Sequence, residues 1–194
     1  MQNNIEYIRS SWKYIGIISG IFIISVIAGL FVSLKDLGLQ ENYLEMFKNS
    51  FGWMKTLSPL SIMLVIFLNN AVKSLFAIVL GTGFGIVPII FVGGNGIILG
   101  LIANEVSKQQ GVIFVLAALI PHGIIEIPMI LISAGFGLRL GYFMYLSLRG
   151  ERKDMRSELA GSLRIYMRLI MPLLFISAMI ETFITPAIVM WISG

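Results

Sequence analysis

Five apolar runs, each near or above the roughly 20 residues that carry a helix across about 30 Å of hydrocarbon, constrain this chain more than any other feature. They read about Tyr14 to Leu34, Pro59 to Leu80, Ile86 to Ala103, Val112 to Leu148 and Ile165 to Trp191. In lipid each backbone N–H and C=O must find its partner within the protein, so runs of this kind become helices. The expected fold class is all-α: a polytopic transmembrane helical bundle of about five crossings, with 1–194 as a single helical membrane domain.

Composition agrees. With 57% hydrophobic and 12% charged residues, the chain has too little polar surface to coat a soluble globule. The formal charge of +4 does not signal nucleic acid, because the basic residues form no patch interleaved with aromatics. They fall between apolar runs, where they orient a membrane protein. Cysteine is absent, which removes disulfides and thiolate metal sites.

Arg149, Arg152, Lys153, Arg156, Arg164 and Arg168 flank the last two crossings and mark 149–164 as a cytoplasmic basic loop. Counting back through the crossings puts the amino terminus, with Arg9 and Lys13, on the same side and the carboxyl terminus outside. The expected location is the cell membrane, multi-pass. The first run exceeds a signal-peptide core and lacks a clear small-residue cleavage site, so it reads as a retained anchor. The stretch 35–57 reads as an external amphipathic linker, with Leu44, Phe47, Phe51 and Met54 at helical spacing. "NEVSKQQG" reads as a short polar connection between the third and fourth runs.

The run from Val112 to Leu148 is too long for one ordinary crossing, reaching roughly 50 Å as a helix. Pro121, Gly123 and Pro128 supply the expected break, giving a broken or re-entrant segment around Pro121 to Pro128.

Polar residues within these runs are costly, about 2.5 to 3.5 kcal/mol for a charge at a helix centre, and so are candidates for function. Topology places Asn69 and Asn70 near mid-membrane, Lys73 one turn further toward the cytoplasm, and Asn95 centrally. Glu105, His122, Glu126 and Glu181 fall in the outer half, with Arg139 deeper or cytoplasmic. If the helix starts near Pro121, His122 and Glu126 share a face; if nearer Pro128, they cap an irregular entry segment. Interhelical hydrogen bonding accounts for the asparagines without a substrate, and the small-residue spacings Ser133, Gly137, Gly141 and Gly96, Gly100 are faces for close helix packing. "GTGFG" lacks the pore helix and fourfold setting of a potassium filter.

Enzymatic motifs are absent from the sequence. A metalloprotease helix needs two histidines and this chain has one, and no nucleophile elbow or phosphate-binding Gly-Lys-Ser/Thr loop occurs. A mixed site of the histidine and several carboxylates could hold a divalent ion, but three carboxylates would have to converge first. No enzyme activity, metal or cofactor is assigned.

"FLNN", "GNGIILG", "LIPHGIIEIP" followed by "AGFGLRLG", and "ETFITP" together resemble the stage II sporulation protein M family of multi-pass membrane proteins, over about Phe67 to Pro186. The resemblance implies about five crossings and puts family weight on Asn69, Asn70, Asn95, His122, Gly123, Glu126, Pro128 and Glu181, with no catalytic role for any of them. It also implies a non-enzymatic scaffold that positions partners, which in the family belong to a peptidoglycan-remodelling engulfment complex. The partners expected here are the lipid bilayer and membrane or envelope proteins, not nucleic acid. The alternative is a small transporter or channel, as a homo-oligomer or alone, using the His/Glu cluster for a proton or cation.

Overall fold

The computed structural model describes residues 4–34, 56–151 and 154–193. The 35–57 linker therefore lies, but for its last two residues, outside the described residues. Among the described residues, five helices are long and apolar enough to cross a membrane. In chain order they are α1 (Asn4–Leu34), α2 (Pro59–Val79), α3 (Ile86–Gln110), α4 (Val112–Leu148), and a composite rod of α5 (Met155–Ile165), α6 (Met171–Met179) and α7 (Thr185–Ser193).

Local signals explain the ends. Ser58 caps α2 by accepting from the Ser61 N–H, and Pro59 stands in the first turn, where a missing N–H costs nothing. The α2–α3 turn places Phe84 at φ 59° and Gly85 at φ 74°, left-handed backbone that glycine adopts without penalty.

Three boundaries differ from expectation. "NEVSKQQ" is helical, and Gly111, at φ 89°, is what parts α3 from α4. Glu, Lys and Gln are good helix formers, and a helix need not stop where hydrocarbon does. Most of the basic loop is also helix: Asp154 accepts from the Ser157 N–H at 3.0 Å and starts α5, whose Met155, Leu159 and Leu163 pack on the core.

The broken or re-entrant segment expected around Pro121 to Pro128 does not form. α4 is one 37-residue helix that runs through both Pro121 and Pro128. Each proline frees one carbonyl, of Ala117 and Ile124, whereas a true break would strand several amides and carbonyls in hydrocarbon. Continuity leaves fewer groups unsatisfied. Gly123 marks no break either, since a Cβ there would meet only ordinary contacts with Leu119 and Ile127 at 3.5 and 3.6 Å.

Contacts fix the packing directions. α1 and α3 run parallel, with Phe22 beside Gly96 and Val26 beside Gly100. α2 and α4 are parallel too: Ala77 meets Gly137, and Gly85 meets Gly141. The composite rod runs against α4, pairing Glu158 with Arg139 near one end and Thr185 with His122 near the other. Alternate spans are thus parallel, as five successive crossings require. The small-residue faces serve packing, as expected. α4 touches each of the other spans and forms the axis of the bundle.

The core gathers Ile78, Phe136, Leu140, Ile165, Ile170 and Leu174 around α4, with Ile18, Val92 and Ala134 on its α1–α3 side. Ile23, Ile24, Phe31, Ile90 and Ile124 face outward, as lipid demands. Tyr166 donates its buried hydroxyl to the Ala71 carbonyl at 2.8 Å. Tyr166→Phe is expected to lower stability by about 1 kcal/mol, the net worth of one such bond, read from unfolding in detergent micelles.

Candidate functional site

Continuity of α4 decides the first geometry. His122 and Glu126, four residues apart on an unbroken helix, share a face. The last span supplies the third member through a local irregularity. Met171 N–H bonds the Tyr166 carbonyl and Thr185 N–H the Ile180 carbonyl, each five residues back, so Tyr166–Ile170 and Ile180–Ile184 are π-helical.

A proline follows each of them. Pro172 and Pro186 have no N–H for the carbonyls of Arg168 and Thr182, and their rings would crowd those carbonyls in a regular α turn. A wider turn relieves the crowding. The insertion before Pro186 contains Glu181 and sets the direction in which its side chain leaves the helix.

The result is convergence. One ligand atom each from His122, Glu126 and Glu181 lies within 4.8 Å of the others, and all three side chains are part-buried. Neutral donors surround them. Ser177, fully buried, gives its hydroxyl to the His122 carbonyl at 3.1 Å and to Glu126 Oε2 at 3.4 Å. Asn70 also hydrogen-bonds the Glu126 side chain, and the Lys73 ammonium acts on Glu126 through its charge. Thr185 Oγ1 stands 3.5 Å from His122 Nδ1. A cavity of about 150 Å³ adjoins His122 and Glu126, lined also by Phe22, Asn95, Leu119 and Ile127. That exceeds the roughly 15 Å³ a single water requires.

Not every expected member joins. Asn69 is exposed and donates to Asn70 at 3.3 Å, so it touches the cluster only through its neighbour. Asn95 reaches the cavity wall while its amide donates to the Phe91 carbonyl at 2.6 Å. Glu105 is outside the cluster. It sits ten residues beyond Asn95 on α3, a rise of about 15 Å, and pairs with Gln109 at 2.7 Å.

Sequence reasoning missed Ser177 and Thr185, whose hydroxyls are unremarkable among many in an apolar run. It also missed a second polar knot around Arg139. There Arg139 meets Glu158 at 2.9 Å, donates to Ser10 and Ser11, and stacks 4.5 Å from the Tyr7 ring centre. Tyr7 donates to the Glu158 carboxylate at 2.9 Å and bonds the Ser162 hydroxyl at 2.9 Å. The Asp154-x-x-Ser157 cap was the available signal that Glu158 belongs to a helix.

Fold and site together define a polytopic α-helical membrane protein with a convergent histidine–carboxylate cluster inside its bundle. The chain belongs to the stage II sporulation protein M family, which it matches over residues 18–186. An uncharacterized protein of the archaeon Methanocaldococcus jannaschii is 33% identical over 125 residues, covering 62% of this chain and 70% of that protein. No solved structure matches. The cluster lies within the family match, whereas Tyr7, Ser10 and Ser11 precede it.

Proposed function

We propose that the protein is a small membrane transporter whose His122, Glu126 and Glu181 bind a proton or cation within the bundle. The convergence of these three groups on one point carries the reading. Two carboxylates this close in a low-dielectric setting repel unless a proton or cation is held between them, and the Lys73 ammonium acts on only one of the pair, Glu126. The adjoining cavity has room for water beside His122 and Glu126.

Glu126→Gln and Glu181→Gln keep the shape of the site and remove its charge. In proteoliposomes loaded with pH- and metal-sensitive dyes, wild type is expected to pass a cation or proton current, and each variant to lose at least tenfold of it while eluting as a folded species. Wild-type vesicles as tight as empty ones would overturn the reading.

Membership in the stage II sporulation protein M family favours a second reading, that of a non-enzymatic scaffold positioning envelope proteins. On that account the vesicles stay tight. The same variants would lower thermal stability or the yield of cross-linked partners from native membranes. In either reading the amino terminus and the Arg149 end of the bundle face the cytoplasm, by the distribution of basic residues.

A further inference from the structure

We infer that the ion held by His122, Glu126 and Glu181 is a divalent first-row transition metal, with Zn²⁺ as the reference case. This rests on the transport reading above and names its cargo.

The donor set is one imidazole nitrogen and two carboxylate oxygens. Imidazole suits zinc, iron and nickel, carboxylates alone suit magnesium and calcium, and soft copper(I) prefers the sulfur that this site lacks. Charge narrows the choice further. With a neutral imidazole, two ionised carboxylates carry two negative charges, which one divalent ion cancels, whereas one sodium ion cancels half and protons must bind both carboxylates to do the same. In a low-dielectric interior the fully neutralised arrangement is favoured.

Geometry is compatible. Donors at about 2.0 to 2.1 Å around a tetrahedral zinc stand roughly 3.4 Å apart. Side chains now within 4.8 Å would close by about 1.4 Å, which rotation of two glutamates supplies. Three protein ligands leave a fourth position for water, and the adjoining cavity lies beside His122 and Glu126. Outer partners are in place as well. Ser177 and Asn70 hydrogen-bond Glu126, and Thr185 Oγ1 stands 3.5 Å from His122 Nδ1, where it can orient the ring. The π-helical turn before Pro186 holds the backbone that presents Glu181.

The test is zinc binding by the full chain, purified in detergent and stripped with a chelator, followed by calorimetry with Zn²⁺ and by Co²⁺ absorption as a report on coordination. One ion per chain is expected. His122→Gln, Glu126→Gln and Glu181→Gln should each weaken binding more than about tenfold, while Glu105→Gln, outside the cluster, leaves it unchanged. Absence of binding, or binding that survives both Glu181→Gln and His122→Gln, overturns the assignment. If Glu126→Gln does not fold, the other two variants decide it. Proton flux in vesicles without zinc binding sinks the metal site and spares transport; zinc binding without flux does the opposite.

Discussion

Glu158→Ala is expected to destabilise the protein by about 3 kcal/mol, because it strands the Arg139 guanidinium in the bundle without its counter-charge. Arg139 is 7% exposed and Glu158 20%, and the pair ties α4 to α5 while Ser10, Ser11 and Tyr7 bring in α1. Removing one partner of such a pair is far worse than removing both. Arg139→Met with Glu158→Leu should therefore recover most of the loss. Unfolding in a mixed-micelle titration reads both. If Glu158→Ala melts like wild type, the knot is not holding the three helices.

A second large effect is expected from one added methyl group. A Cβ at Gly137 would run into the Ala77 carbonyl, and one at Gly81 into the backbone of Gly137, so α2 and α4 touch backbone to backbone there. Backbone cannot rotate aside. Gly137→Ala should cost about 3 kcal/mol, the upper end for overpacking. Gly20→Ala is the matched control, since nothing lies within 4 Å of a Cβ at that position. It should be neutral or slightly stabilising, because alanine is the better helix former.

Those glycines show what the sequence makes legible. Hydrophobic length and small-residue spacing are properties of one helix, so the five spans and the Gly137 and Gly141 face could be read without knowing the neighbours. The pairing of His122 with Glu126 follows from i, i+4 spacing once α4 is known to be continuous. Its continuity was the harder matter. Proline rules describe helices in water, where a broken turn is solvated, and in hydrocarbon the same prolines are better kept within the helix.

The rest depends on juxtaposition between spans. Nothing local distinguishes Asn70, which reaches Glu126, from Asn69, which faces outward one residue away. Depth alone grouped Glu105 with Glu181, yet depth says nothing of direction around the bundle. Glu181 itself points inward from a π-helical turn, and that turn alters the helical phase on which any face assignment relies. The charge density around Glu158 makes its segment resemble a loop, although the Asp154 cap and the Met155, Leu159, Leu163 spacing mark a helix.

The claim that α4 and the last span bring Glu126 and Glu181 to one point can be tested in native membranes. The chain has no cysteine, so a pair introduced as Glu126→Cys with Glu181→Cys is unambiguous. A short thiol-to-thiol cross-linker should join that pair within one chain rapidly and nearly completely, while Glu105→Cys with Glu181→Cys stays unjoined. Equal reaction of the two pairs, or none at 126 and 181, would contradict the convergent site.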